Sequence, residues 1–302
     1  MSAPTRKSAV LLIRIKYSRM LDDPLSLDKT TLDAIKALET RSLQVDGGRL
    51  KLEWGSLQSR PAGERNDLLW WDGGMLVGFA GRYAFGGMTP EATGMVDPLH
   101  RGQGLGGSLL DALLALCAER GDERILLVTP RSSTAAKALA IGRGGKFHHA
   151  EHSLVLTTLG DQNSTDPAIK LRKAEMGDST IVQELHKAGF NTDAAATILG
   201  DPADPTLVAE RDGQPIATLR VESETNGARG IYGFVVDTSF QGRGIGRDLL
   251  WRVCRQALTD GAPYVHLEVE VENERALGLY TSIGFVLETT EDYYEIPVTH
   301  HI

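Results

Sequence analysis

Cysteine is scarce, with only Cys117 and Cys254 in 302 residues, and both stand among apolar neighbours in helix-like stretches. A disulfide framework is therefore excluded as the basis of the fold, and plain burial is the reading of both thiols. No apolar run reaches the length of a membrane-spanning helix. The opening residues MSAPTRKS lead only into a short apolar piece, Ala9 to Ile15, so no signal peptide and no membrane partner are expected, and a cytoplasmic location is the default. Neither glycine-rich turn ends in Gly-Lys-Ser/Thr, which argues against a nucleoside triphosphatase. The nearest approach to a metal set is His148, His149 and His152, read as surface histidines on a strand edge, so no metal is expected.

What is present is ordinary globular material, 41% hydrophobic and 24% charged, in a chain long enough for two domains. Charge is divided unevenly. Residues 1–160 carry 20 Lys and Arg against 17 Asp and Glu, while residues 161–302 carry 12 against 23. The acidic second half argues against a nucleic-acid partner and suits a cationic acceptor such as an amine, or simply a solvated surface.

The stretch that organises the chain is GIYGFVVDTSFQGRGIGR, Gly230 to Arg247. An apolar strand runs into a turn with Gly242, Gly244 and Gly246, where successive N–H groups can point into one hollow. Leu249, Leu250, Val253, Cys254, Ala257 and Leu258 then recur at helical spacing. The start of that helix adds unpaired amides and a positive dipole end, which suits a phosphate or diphosphate. The pattern occurs twice. VDPLHRGQGLGGSLL, Val96 to Leu110, aligns without a gap with VDTSFQGRGIGRDLL, Val236 to Leu250, at a constant offset of 140 positions. The same offset pairs Asp72-Gly73 with Asp212-Gly213, each at an expected hairpin turn. The chain is an internal duplication.

The two halves read alike otherwise. The first has strands over Leu11–Lys16, Leu68–Trp71 and Ile125–Thr129 and helices over 28–41 and 109–118; a polar stretch over 160–167 has linker composition. The second has a strand and amphipathic helix within Ile169–Phe190, capped by Asp178 or Ser179, then a hairpin over Leu207–Ser223. A strand over Tyr264–Val271, a helix over Asn273–Ser282 and two strands, 283–288 and 292–298, complete it.

The strand and loop resemble the acyl-CoA-binding motif of the GNAT N-acetyltransferase superfamily, carried here by Gln241-Gly242-Arg243-Gly244-Ile245-Gly246 and by Arg101-Gly102-Gln103-Gly104-Leu105-Gly106. LEVEVENERALGLYTSIGF, Leu267 to Phe285, is similar to the family's second motif, an Asn ahead of Leu-Tyr and Gly-Phe. The resemblance implies an α/β fold of two tandem GNAT domains, each a mixed twisted sheet flanked by helices: a degenerate copy over 1–160 and a catalytic one over 161–302. It implies acetyl-CoA as co-substrate, with main-chain groups of Phe234, Val235 and Val236 along the pantetheine arm. Loop residues Gln241 to Gly246, with Arg243 and Arg247 flanking it, would lie at the phosphates. Asn273 is either a further cofactor contact or a plain N-cap.

N-acetyl transfer needs a base for the ammonium proton and an acid for the leaving thiolate. Tyr280 is the candidate acid, because a phenol is protonated at neutral pH, and the resemblance assigns that role to this Tyr. Glu268 is the candidate base: alternation places Glu268, Glu270 and Glu272 on one strand face, and the triplet Leu267-Glu268-Val269 resembles ribosomal-protein N-terminal acetyltransferases, in which this Glu is a base. Glu222 is the reserve. At the fixed offset the first half has Val128, Ser133 and Ala140 where the second has Glu268, Asn273 and Tyr280, so it keeps the cradle without the chemistry. Tandem copies with a degenerate first half also resemble mycothiol synthases, which carry a glutamate near Gly230 that is missing here. The expected activity is transfer of acetyl to a primary amine of a small molecule or peptide by direct attack. The alternative is an acyl-CoA-binding regulatory or structural protein without turnover. Two copies in one chain can pack as a homodimer would, so a monomer is expected.

Overall fold

A computed structural model describes residues 19–85, 88–161, 166–190, 200–201, 204–224 and 226–299. The strand expected over Leu11–Lys16 lies outside the described residues. In chain order the elements are β1 (Arg19–Asp22), α1 (Lys29–Asp46), α2 (Trp54–Gln58), β2 (Asp67–Asp72), β3 (Met75–Tyr83), β4 (Glu91–Val96), α3 (Leu105–Glu119), β5 (Arg124–Pro130), α4 (Thr134–Ile141) and β6 (Lys146–Leu156). Then follow β7 (Ile169–Lys173), α5 (Ser179–Phe190), β8 (Gly200–Asp201), β9 (Asp204–Arg211), β10 (Gln214–Ser223), β11 (Arg229–Val236), α6 (Ile245–Thr259), β12 (Val265–Glu270), α7 (Glu274–Ile283) and β13 (Val286–Pro297).

The chain forms two compact units. The first takes its described residues from 1–84, 89–148 and 292–302, the second from 85–88 and 149–291. The units and the duplicated halves therefore differ in their limits. In the first unit the strand order is β1-β2-β3-β4-β5, followed by residues 292–297 of β13. In the second it is residues 149–156 of β6, then β12-β11-β10-β9-β7, with β8 paired to β9. The C-terminal segment, expected as two strands, is one continuous strand, β13.

Each unit buries its own core. In the first, Leu109, Leu110, Leu113 and Cys117 of α3 pack on Ala80, Ala92, Ile125, Leu127 and Ile296. In the second, Leu250, Val253 and Cys254 of α6 and Tyr280 and Ile283 of α7 pack on Leu219, Ile231, Leu267 and Val269, with Leu154 and Leu156 of β6. A fully buried Leu is worth about 1.5–3 kcal/mol, so β6 is an essential part of the second core. The expected hairpins are present. Asp212 and Gly213 both have positive φ, 52° and 79°, as a two-residue turn matched to strand twist requires.

Candidate functional site

In the second unit the parallel pairing of β11 with β12 is short. It joins Arg229 to Val265, Gly230 to His266 and Ile231 to Leu267, and ends there. Beyond it β11 stays with β10, as Thr218 to Val235 and Ala217 to Val236. β12 stays with β6, as Glu268 to Ser153 and Glu270 to Glu151. The facing edges of residues 232–236 and 268–270 thus share no ladder, and a wedge opens between them. The cause is local. Gly233 has φ +57°, opposite a register shift between Thr218 and Arg220 of β10, so the bulged strand bends away. A Cβ on Gly233 would also stand 2.9 Å from the His186 ring of α5. Past the bulge, Phe234 and Val236 lie against Gly246 of α6, at 3.5 and 3.7 Å from its built Cβ, while Val235 turns to Gly189 of α5.

The loop after β11 is tied down by its own side chains. Asp237 Oδ1 accepts from Ser239 N at 2.8 Å. Gln241 Nε2 donates to Val236 O at 2.8 Å, and Gln241 Oε1 accepts from Arg275 Nη1 at 3.0 Å. Gln241 therefore shapes the turn. Gly242 and Gly244 have φ of 75° and 79°, and a Cβ on either would meet nothing within 4 Å. Glycine is demanded here by backbone conformation, and the space above it is open. Gly244 caps α6 in a left-handed conformation without a side-chain hydrogen bond, whereas Asp28 caps α1 and Asn273 caps α7. The first-turn amides of α6 are thus left without a side-chain acceptor at the positive end of the helix dipole, an arrangement that fits a diphosphate. Arg243 lies over the Phe240 ring at 5.5 Å, and Arg247 Nη2 donates to Ser282 O at 3.0 Å.

The first unit repeats the loop. Gly102 and Gly104 have φ of 72° and 85° with open space above them, and β4 pairs with β5 only at Glu91–Leu126 and Ala92–Leu127. Arg101 replaces Gln241, donating to Val96 O at 3.0 Å and to Asp46 at 2.7 and 2.6 Å.

Tyr280 is buried in the second core, its ring edge-on to Phe285 with centroids 6.0 Å apart. Burial pushes its phenol up to about 12. The hydroxyl bonds to no described residue, yet it is not among the polar atoms sealed from solvent. The oxygen therefore sits at the edge of the core. Glu268 is half-buried on β12. Because Tyr280 packs with Leu267 and Val269, while Glu268 alternates with them, the phenol and the carboxylate stand on opposite faces of β12. Asn273 is a helix cap, its Oδ1 accepting from Ala276 N at 3.1 Å. Glu222 is in an ion pair with Arg220 at 2.5 Å. Burial pushes both cysteine thiols up to about 12, which leaves neither a nucleophile at neutral pH.

Four side chains that the sequence reading did not select lie on the Glu268 face: Arg220, Tyr232 and His266 on the strands and His186 on α5. Arg220 stands over the Tyr232 ring at 5.6 Å, and His266 Nε2 is 3.1 Å from Glu224 Oε1. The Tyr232 phenol leans over Gly230, whose built Cβ would be 2.9 Å from the hydroxyl and 3.0 Å from His266 Nε2. One signal was available, since His266 is two residues before Glu268 and shares its strand parity. Among the described residues no group of three or more His, Cys, Asp or Glu is placed to hold a metal, and no helix is long and apolar enough to cross a membrane.

The profile of the "Acetyltransferase (GNAT) family" matches residues 33–143 and again 171–285. A mycothiol acetyltransferase of Streptomyces coelicolor is 31% identical, covering 93% of this chain and 97% of the relative. One from Thermobispora bispora is 30% identical, covering 87% and 95%. Among solved structures, a GCN5-related N-acetyltransferase from Sphaerobacter thermophilus superposes with TM-score 0.78 at 20% identity, over 94% of this chain and 97% of that one. A tandem GNAT protein from the clavulanic acid biosynthesis pathway gives 0.69 at 16% identity, over 94% and 100%. The two structures share the fold.

Proposed function

Since the chain belongs to the GNAT acetyltransferase family and is on that footing an acyltransferase, we propose that its second unit transfers acetyl from acetyl-CoA to a primary amine by direct attack. The observation that carries this is the uncapped start of α6, with its open glycine turn, beside a wedge in the sheet, with Glu268 on one face of β12 and Tyr280 on the other. The loop amides from Gly242 to Arg247 would hold the diphosphate. The unladdered edge at Phe234, Val235 and Val236 would hold the pantetheine arm as a strand edge holds a peptide, with a main-chain N–H on the thioester oxygen.

With the thioester in the wedge, the acceptor approaches from the Glu268 side. Glu268 takes a proton from the ammonium, the amine forms the C–N bond, and the C–S bond breaks. Tyr280 gives its proton to the departing thiolate and regains one from the nitrogen. Acid and base on opposite faces of β12 support this order, because the incoming ammonium and the departing thiolate are different groups on the same tetrahedral carbon and each needs its own proton carrier. The first unit, with Val128, Ser133 and Ala140 at the matching positions, is read as a non-catalytic copy that stabilises the pair.

The acceptor is proposed to be a small-molecule amine. The relatives named mycothiol acetyltransferase make desacetyl-mycothiol the first to assay, beside glucosamine and short peptides. The strand near Gly230 lacks the glutamate expected of mycothiol synthases, which puts that acceptor under direct test. CoA release with this panel, run alongside calorimetry of acetyl-CoA, decides the proposal. Turnover on any of them supports it. Tight acetyl-CoA binding with no turnover on the whole panel selects a CoA-binding protein without catalysis. No binding at all rejects both. Glu268→Gln is expected to remove the rising limb of the pH profile; a variant that keeps that limb removes Glu268 from the role of base.

A further inference from the structure

Beside these groups lies a hydrogen-bonded pair, one member buried and one half-buried, that acetyl transfer leaves unused. His266 is 4% exposed, with Nε2 held at 3.1 Å by Glu224 Oε1. Its other nitrogen, Nδ1, is sealed from solvent and bonds to no described residue. Such an enclosed unpaired nitrogen destabilises a native fold, and a feature of that kind calls for a reason. The carboxylate fixes the tautomer. An ionised Glu224 only accepts, so the neutral ring keeps its hydrogen on Nε2 and leaves the Nδ1 lone pair bare. An imidazole oriented in this way presents a bare lone pair as a proton acceptor.

Position supplies the second half of the case. His266 and Glu268 are two residues apart on β12 and share one face, about 6.6 Å apart along the strand. His266 lies within the parallel ladder and Glu268 just beyond its end, at the mouth of the wedge. Glu224 follows β10 and keeps 27% of its side chain exposed. Glu268, His266 and Glu224 therefore form a row from the wedge to solvent. The other groups around His266 are Tyr232 and Tyr264, with ring centroids at 6.2 and 6.4 Å. Its strand neighbours are Gly230 and Val155. Arg220 and Glu222, as an ion pair, lie on the strand beyond Gly230, and His186 of α5 stands over Gly233.

We propose that His266, positioned by Glu224, is a proton relay that empties Glu268 during turnover; this rests on the assignment of Glu268 as base. The ammonium gives one proton to the Glu268 carboxylate. Glu268, two residues along the same strand face, turns its carboxyl to Nδ1 of His266 and passes the proton there directly, which restores the carboxylate and leaves an imidazolium paired with Glu224. The neutral amine then attacks, and its second proton leaves with the CoA thiol by way of Tyr280. After product release the imidazolium gives the Nδ1 proton back through Glu268 to the water of the emptied wedge, which leaves Nδ1 bare for the next cycle.

The test compares kcat/KM for CoA release, from neutral to alkaline pH, in the wild type, His266→Gln, Glu224→Gln and Glu268→Gln, with desacetyl-mycothiol and glucosamine as acceptors. His266→Gln is expected to lose on the order of 10²-fold at neutral pH, and the loss should shrink as pH rises to where the amine is already neutral. Glu224→Gln should show the same trend more weakly, with acetyl-CoA affinity unchanged in both. A loss of equal size at every pH in both variants, with the Glu268→Gln profile altered, overturns the relay alone. An unaltered Glu268→Gln profile removes the parent assignment. Long-range proton–nitrogen NMR of the His266 ring in the full chain gives a reading that needs no acceptor. A bare Nδ1 in the wild type that becomes a tautomer mixture in Glu224→Gln supports the relay, and a protonated Nδ1 in the neutral wild-type ring overturns it. Should His266→Gln fail to fold, Glu224→Gln at the exposed end of the row decides.

Discussion

A phenol pushed up to about 12 by burial keeps its proton throughout the range in which a thiolate, with thiol pKa about 8.5, needs one. Tyr280 should therefore be active as an acid below about 12, and the alkaline limb of the pH profile should not come from it. Removing only the hydroxyl tests the role. Tyr280→Phe is expected to lower kcat by roughly 10²–10⁴-fold while acetyl-CoA affinity, measured by calorimetry, stays within a few-fold. Loss of affinity instead would make Tyr280 a packing residue for the wedge. At this scale the sequence was informative where one residue type has one use. The turn glycines were read that way, because only glycine takes φ near +75° without strain, whereas Tyr280 was selected from the resemblance of its motif. His266 was not, because a lone histidine on a strand has no signature until its Nε2 is seen against Glu224.

At the scale of elements, a helix with no side-chain cap is the less common arrangement, and Gly244 is its pivot. Gly244→Ala puts a Cβ at φ +79° and should cost about 1 kcal/mol in stability. Gly244→Val adds branched bulk to the open hollow and should weaken acetyl-CoA binding at least 10-fold, since about 1.4 kcal/mol of lost contact is tenfold in affinity. Titration calorimetry of the two variants separates strain from obstruction. The start of α5 is set by a different device. Asp178 accepts from Arg172 at 2.6 and 2.8 Å and from Glu175 N at 2.6 Å. These bonds, Arg172 first, pull its carboxyl down to about 2. A depressed carboxyl stabilises the fold fully above its unfolded value of 3.8 and loses that contribution as pH falls through about 2. Asp178→Asn should thus cost about 2 kcal/mol at neutral pH. Its gap to the wild type should close between about pH 4 and pH 2 in urea titrations run at a series of pH values. The bulge at Gly233 was not legible beforehand, because it depends on the register that β10 keeps on its far side.

Across the whole molecule, the duplication was readable from the 140-position offset, and the linker composition of 160–167 placed the expected division of the chain near residue 160. Which strand completes which core was not. Pairing partners of β6 and β13 are set by the sheet rather than by local periodicity, and a sequence pattern carries the face of a strand but not its neighbour. In the structure, residues 151–156 pair with β12 and bring Leu154 and Leu156, both 0% exposed, into the second core. A fragment comprising 161–302 therefore loses two buried leucines, each worth about 1.5–3 kcal/mol, and leaves the far edge of β12 unpaired. Against a typical domain stability of about 5–15 kcal/mol, that loss is enough to decide folding, and an open strand edge adds a route to aggregation. A fragment comprising 149–291 keeps both leucines and the β6–β12 ladder. Thermal unfolding followed by circular dichroism should show a cooperative transition for 149–291 and none for 161–302. A cooperative transition of equal midpoint in both would mean that the second core closes without β6, and that the chain divides at its linker after all.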